Sequence, residues 1–164
     1  MCEVLRHGHA NVESHYGAQP HLVDCKIQDG ARHGVLMRAN CIMERCDVSG
    51  HGLAGVEVVG GNPLCVDCHF RGSRGHGMRL LSSGHGSIHR CTFSDNGGDG
   101  VHVDDRADPE LAHCVVQGNR GRGLFVSLDA RAYLTSTRFA KNRGGAQEWE
   151  GGCQPGRGTG CVLQ

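Results

Sequence analysis

The sequence repeats one frame of thirteen residues at steps of 21 to 23 residues, and this period constrains the fold more than any other feature. The segment CTFSDNGGDGVHV, from Cys91 to Val103, shows the frame most clearly. A cysteine opens the frame, and nine places later a glycine precedes an alternating apolar pair. The cysteine column holds Cys2, Cys25, Cys46, Cys68, Cys91, Cys114 and Thr137, and the glycine column holds Asn11, Gly34, Gly55, Gly77, Gly100, Gly123 and Ala146. Internal repeats of this length are typical of stacked solenoids.

Apolar residues recur in four columns of the aligned repeats, with polar residues between them. In one repeat these columns hold Ile88, Phe93, Val101 and Val103. Alternation over about three residues predicts short strands. Because one coil cannot bury its own inward face, coils must stack to form a continuous core. The sequence therefore predicts one all-β domain over residues 1–164, a solenoid of about seven coils with three short strands per coil.

One corner of the repeat and the two ends of the sequence lead to further expectations. The distance between the cysteine and glycine columns is constant, so variation in repeat length falls in one corner, a possible binding face. Cys2 already occupies a ladder position, and Cys161 with Leu163 starts another coil. Because open strand edges invite pairing, we expect a segment of a longer solenoid or end-to-end self-association.

A charged column precedes the cysteines and alternates in sign. Its members are Asp24, Arg45, Asp67, Arg90 and His113. If the coils stack in register, opposite charges on neighbouring coils face each other and stabilise the stack modestly.

Composition excludes several partners and settings. The net charge of 0 gives no electrostatic case for nucleic acid or a membrane surface as partner. No apolar run reaches membrane-spanning length, and residues 1–19 are too polar for a signal peptide. Six of the 10 cysteines mark the repeat, so we expect buried, reduced thiols, although stacked coils also permit disulfides. The lack of an N-x-[ST] sequon favours a cytoplasmic location.

Four segments resemble the right-handed parallel β-helix repeat of the pectin-lyase-like fold: LVDCKIQDGARHGVLM, MERCDVSGHGLAGVEV, IHRCTFSDNGGDGVHV and LAHCVVQGNRGRGLFV. The resemblance covers practically the whole chain and implies a right-handed β-helix. The family includes pectate lyases, polygalacturonases, alginate epimerases and the non-catalytic β-helix of F-box-only ubiquitin-ligase receptors. The short, loop-poor coils are most similar in style to the last of these, which implies a role in binding.

Two sets of polar residues are candidates for function. Asp104 and Asp105 end the strand GVHVDD, and paired carboxylates can act as acid and base or hold Ca²⁺. A turn-forming acidic corner is the other interpretation. Glu57, Arg79 and His102 are expected to lie one above another on successive coils. There they would grip a sugar acid or a peptide, or form a solvated face.

Cysteines and histidines are common metal ligands, but their positions in this sequence do not predict a metal site. Cys65 and Cys68 form a C-x-x-C pair, with Cys46 upstream. Because these three residues lie in ladder or inward columns, packing explains them, and no metal site is expected. His33 and His76 precede turn glycines and are expected to be exposed.

Two hypotheses for function follow. The first is a non-catalytic β-helix module that recognises or scaffolds a protein or glycan, without a cofactor. Its binding face comprises Glu57, Arg79, His102, Asp104 and Asp105. The second is a carbohydrate-active enzyme, a lyase, hydrolase or epimerase, in which Asp104 and Asp105 act with Arg79 or His102 and Ca²⁺ serves as cofactor.

Overall fold

The computed structural model describes residues 2–149 and 162–163, and these residues coil into three parallel sheets. Sheet A contains β1 (Cys2–Leu5), β4 (Cys25–Gln28), β7 (Asp47–Ser49), β10 (His69–Arg71), β13 (Thr92–Ser94), β16 (Val115–Gln117), β19 (Arg138–Ala140) and β21 (Val162–Leu163). Sheet B contains β2 (Val12–Ser14), β5 (Val35–Met37), β8 (Val56–Val59), β11 (Met78–Leu81), β14 (Val101–Val103), β17 (Leu124–Val126) and β20 (Gln147–Trp149). Sheet C contains β3 (His21–Val23), β6 (Ile42–Glu44), β9 (Leu64–Val66), β12 (Ser87–His89), β15 (Glu110–Ala112) and β18 (Tyr133–Thr135).

The apolar columns of the sequence form the core. Phe70 on β10 pairs in register with Val48 on β7 and with Phe93 on β13, and all three side chains are fully buried. The rings of Phe70 and Phe93 stack with their centroids 5.0 Å apart. The predicted solenoid with three short strands per coil is confirmed, and six coils of the described chain contribute a strand to every sheet. No helix long and apolar enough to cross a membrane occurs among these residues.

The chain turns from sheet C to sheet A at a single residue with positive φ. This position is the charged column of the sequence, and its φ values lie between 47° and 56° in Asp24, Arg45, Asp67, Arg90, His113 and Ser136. The Arg45 guanidinium donates to both carboxylate oxygens of Asp24, at 2.7 and 3.1 Å. Arg90 binds Asp67 in the same way, at 2.8 and 3.0 Å. The predicted pairing of opposite charges is confirmed, but such exposed pairs stabilise a fold little.

The cysteine column begins directly after this bend, and its side chains point into the core. Its buried members carry free thiols: Cys25, Cys46, Cys68, Cys91 and Cys114. The backbone N–H groups of Cys46 and Cys68 each donate to the sulfur of the next coil's cysteine at 3.5 Å. Burial raises the pKa of Cys114 to about 11. These thiols are therefore packing groups, as predicted; Cys2 is exposed, and Cys161 lies outside the described residues.

A second internal ladder, absent from the sequence-based expectations, follows the corner between sheets A and B. It consists of Asn96, Asn119 and Asn142. The amide oxygen of Asn119 accepts hydrogen bonds from the backbone N–H and the side-chain amide of Asn96, at 3.0 and 2.9 Å. Its amide nitrogen donates to the carbonyl of Phe93, at 3.2 Å. The ladder satisfies backbone groups that the turn would otherwise bury without partners.

His51 takes the place of asparagine in this column two coils earlier. Its Nδ1 accepts a hydrogen bond from the N–H of Gly30, at 3.0 Å, so Nε2 donates to the carbonyl of Ile27, also at 3.0 Å. The side chain is fully buried. Burial lowers the pKa of His51, so the imidazole is neutral in the folded protein at neutral pH.

Glycine is required in the glycine column because there is no room for a side chain between neighbouring coils. A Cβ on Gly77 would lie 2.6 Å from the carbonyl oxygen of Gly100 and 2.8 Å from the amide nitrogen of Asn96. Glycine is therefore needed for the close approach of neighbouring coils and not for a special φ. The corner between sheets A and B always contains 6 residues, whereas the corner between sheets B and C contains 4 to 6, so the predicted variable corner is confirmed.

Asn119→Ala should destabilise the solenoid strongly. The change leaves the Asn96 N–H without its partner in the core and removes the hydrogen bond from the Asn119 amide to the Phe93 carbonyl, at a cost of about 2–4 kcal/mol in the free energy of unfolding. Urea unfolding measures this loss, and exposed Asn62→Ala is the control. Equal stability of the two variants would show that the ladder contributes nothing.

His51→Asn should reduce the acid sensitivity of the fold. The folded pKa of His51 lies below its unfolded value of about 6.5, so the stability it contributes is full above that pH and is lost as the pH falls below it. Its titratable neighbours are Asp29 and His33. Asparagine can accept from Gly30 and donate to Ile27 without titrating. We expect the free energy of unfolding to fall less between pH 7.5 and pH 5.5 in the variant than in the wild type; identical slopes would contradict this role.

Candidate functional site

The outward side chains of sheet B form a continuous column. Glu57 on β8, Arg79 on β11 and His102 on β14 are neighbours in strand register, as the sequence predicted, and Phe125 on β17 follows. The Arg79 Nη1 atom lies 3.6 Å from the Glu57 Oε2 atom. The Nε atom of Arg79 is buried without a hydrogen-bond partner. The column thus presents acidic, basic and aromatic groups in adjacent coils.

The corner between sheets A and B forms a wall beside this column. The residue before the turn glycine is His33, Ala54, His76 and Asp99 in four successive coils. Wall and sheet enclose an open groove of about 370 Å³. The groove is lined by His33, Leu53, Ala54, Glu57, Gly75, His76 and Arg79.

His33 and His76 are more buried than the sequence predicted. Their side chains are 13% and 28% exposed, so the prediction of exposed histidines is wrong. The reason is that the corner brings both rings against the outward face of sheet B, where neighbouring side chains cover them. Burial lowers the pKa of His33, and its Nδ1 atom has no hydrogen-bond partner.

Asp99 is the most connected side chain of the wall. Its Oδ2 accepts a hydrogen bond from Nδ1 of His102 at 2.8 Å, and its Oδ1 accepts from the backbone N–H of Arg122, also at 2.8 Å. The side chain is only 9% exposed. Burial opposes ionisation, but these hydrogen bonds offset it, and the pKa of Asp99 is lowered. The result is an ionised carboxylate that orients the His102 ring and leaves its Nε2 atom unprotonated in the neutral form.

His76 lies between the Asp99–His102 pair and the open groove. Its Nδ1 accepts a hydrogen bond from the backbone N–H of Asp99 at 3.0 Å and lies 3.5 Å from the Asp99 Oδ2 atom. Burial, together with the neighbouring His102, lowers the pKa of His76 to about 4. The ring is therefore neutral at pH 7 and carries its proton on Nε2.

Three aromatic rings stack along the outward face and fix these groups. The centroid of His102 is 4.5 Å from that of His76 and 4.7 Å from that of Phe125. The Arg122 guanidinium covers Phe125, with its central carbon 4.8 Å from the ring centroid. Contacts of this kind restrict ring rotation and so hold both imidazoles in place.

Asp104 and Asp105 lie at the corner between sheets B and C. The Asp104 Oδ1 atom accepts the backbone N–H of Asp105 at 2.8 Å, and a hydrogen bond with Ser127 lowers the pKa of Asp104. The Asp105 Oδ2 atom accepts both the N–H and the hydroxyl of Ser82, at 3.0 and 3.1 Å. Both carboxylates thus take part in closing the corner, and their role as acid and base stays a prediction.

The potential metal ligands fall into two separate groups. Cys65 and Cys68, the C-x-x-C pair of the sequence, are fully buried in the core. A different group, His76, Asp99 and His102, offers nitrogen and oxygen atoms that all lie within 4.8 Å of one another. The sequence pattern singled out His102 as a site residue but not the other two. The sequence feature that could have identified His76 and Asp99 is the His or Asp that recurs in the column before the turn glycine.

Stacked coils whose strands form three parallel sheets define a parallel β-helix protein. The sequence matches the family described as right handed beta helix region over residues 8–155, so the chain belongs to this family. The structure is similar to pectate lyase Pel9A, with a TM-score of 0.66 and 13% sequence identity. The match covers 89% of this chain and 50% of the lyase, so the chain spans half the length of that enzyme. No curated protein matches the sequence.

The predicted right-handed, pectin-lyase-like β-helix is thereby confirmed. Because the identity is low, the structural likeness concerns the fold. The similarity in style to the F-box-only receptors stays a prediction.

Proposed function

We propose that this chain is a glycan-recognition module that binds an acidic oligosaccharide in the groove along sheet B. The observation that carries the proposal is the convergence of Arg79, Glu57, His33 and His76 on one open groove. The buried Arg79 Nε and His33 Nδ1 atoms have no protein partner, so the protein does not satisfy all the polar groups of these two side chains. The proposal narrows the expected recognition role from proteins or glycans to glycans.

The chemistry of the groove suits a sugar acid. The Arg79 guanidinium can bind a carboxylate through two parallel hydrogen bonds. Glu57 and the imidazoles offer acceptors and donors for hydroxyl groups. Leu53, which is 40% exposed, supplies an apolar contact for the face of a sugar ring.

The periodicity of the groove suits a polymer. Coils repeat at about 4.8 Å along the axis, so an extended chain that lies parallel to the axis meets a new coil at each step. The side chains that it meets change from Glu57 to Arg79 to His102. Such an ordered sequence of groups gives direction and register to a bound glycan.

Arg79→Met should weaken binding of polygalacturonate or alginate fragments by about 10- to 100-fold, because it removes a hydrogen-bonded contact with a charged group. Isothermal titration calorimetry measures the affinity, and a neutral glucan tests the need for carboxylates. Arg71→Met is the matched control, since Arg71 is exposed on sheet A and bound to Asp47. Equal losses in both variants, or no binding of any acidic glycan by the wild type, would refute the proposal.

A second function, sugar-chain cleavage or epimerisation, is favoured by the Asp99–His102 pair. A carboxylate at 2.8 Å orients the imidazole as a general base, and Arg79 on the adjacent strand can neutralise a substrate carboxylate. Asp104 and Asp105 directly follow β14, the strand that carries His102, and are the other candidate acid and base. In this enzyme, Ca²⁺ would be a candidate cofactor.

A turnover screen separates the two functions. Pectin, polygalacturonate and alginate are incubated with the protein, with and without Ca²⁺, and new reducing or unsaturated ends are measured. A binding module leaves all three substrates intact. If the protein turns over a substrate and Asp105→Asn abolishes the activity, catalysis by the acidic corner replaces the recognition role. If His102→Phe abolishes the activity and Asp105→Asn does not, the general base is assigned to the Asp99–His102 pair.

A further inference from the structure

We propose that His76, Asp99 and His102 form a binding site for one divalent transition-metal ion of the zinc class. His76 and Asp99 belong to the wall of the groove and His102 to the adjacent strand β14, but the inference does not depend on glycan binding. It concerns two imidazole nitrogens and one carboxylate oxygen that the fold brings together from two coils.

The distances fit a compact ion. The Asp99 Oδ2 atom lies 2.8 Å from Nδ1 of His102 and 3.5 Å from Nδ1 of His76. Neighbouring ligands of a tetrahedral zinc ion are separated by about 3.3 Å, given bonds of about 2.0–2.1 Å. Asp99 and His102 lie close to this spacing, whereas the His76 ring must turn away from the Asp99 N–H, which it accepts at 3.0 Å, to bind the ion.

The donor set selects the class of metal. Two imidazoles with one carboxylate are a ligand set typical of catalytic zinc sites, which keep a further position for water or substrate. Calcium and magnesium prefer oxygen ligands throughout, so the two nitrogens disfavour them.

Metal binding replaces hydrogen bonds that the ligands make in the free site. On metal binding, His102 moves its proton from Nδ1 to Nε2, which keeps the ring neutral. His76 exchanges its hydrogen bond from the Asp99 N–H for the metal. Arg79, a cation on the strand beside His102, lies 3.6 Å from Glu57, which reduces its repulsion of the ion.

Contacts behind the ligands hold them in place. The Arg122 N–H fixes the second oxygen of Asp99, and stacking with Phe125 fixes the ring of His102. Outer contacts of this kind orient metal ligands and raise affinity. These contacts hold Asp99 and His102 in position, whereas His76 gives up its hydrogen bond from the Asp99 N–H to join them.

The test uses tag-free protein and calorimetric titration with Zn²⁺. We expect one equivalent to bind. His102→Phe, which preserves the ring stack, and Asp99→Asn, which preserves the acceptor for Arg122, should each lower affinity by at least about 100-fold. The matched control is His69→Phe, an outward histidine on sheet A that should bind like the wild type. Binding that all variants retain, or no saturable binding by the wild type, would overturn the proposal.

Three further measurements check the folding of the variants and the identity of the ligands. Thermal unfolding without metal shows whether each variant folds, and only folded variants are compared. Co²⁺ replaces Zn²⁺ in an absorption experiment, since cysteine ligation gives a strong sulfur-to-metal band. Long-range ¹H–¹⁵N spectra should show the His102 proton on Nδ1 without metal and on Nε2 with it. A sulfur band, or no change in the His102 tautomer, would overturn the assignment.

Discussion

The in-register hydrogen bonding between coils is the constraint on which the rest of this structure depends. Each residue of a strand faces its counterpart one coil away, so every inward column must be compatible with copies of itself. Phenylalanine stacks on phenylalanine, thiol on thiol and amide on amide. The asparagine ladder shows the principle most directly, because the Asn119 amide binds the backbone of the preceding coil and the side chain of Asn142 in the next coil.

The same alignment produces a surface with mixed chemistry. Outward positions do not have to match, so Glu57, Arg79, His102 and Phe125 follow one another on a single face. Their spacing is set by the backbone and not by their own contacts. A solenoid can therefore change its ligand groups coil by coil without loss of the core, and the outward face of sheet B combines charged, imidazole and aromatic groups in neighbouring coils.

The groove lies beside the corner between sheets A and B, which is more rigid than the corner between sheets B and C. The corner of constant length, between sheets A and B, is tied by backbone and amide hydrogen bonds in successive coils and supplies His76 and Asp99. The corner of variable length carries Asp104 and Asp105, whose carboxylates accept hydrogen bonds within that corner. A preorganised site gains more from the rigid corner, because its ligands lose less freedom on binding.

The repeat alone was enough to predict the period, the three-stranded coil, the buried thiol column and the facing charges at the bend, because each of these recurs along the chain. It also placed Glu57, Arg79 and His102 on one face, since strand register follows from the period. The folded chain was needed to reveal that His76 and Asp99 lean over that face and meet His102, and that His51 and the asparagines line a second ladder. This difference arises because a periodic pattern reveals which residues are stacked, whereas the direction of a corner side chain depends on backbone angles such as the positive φ of Asp95 and Gly118.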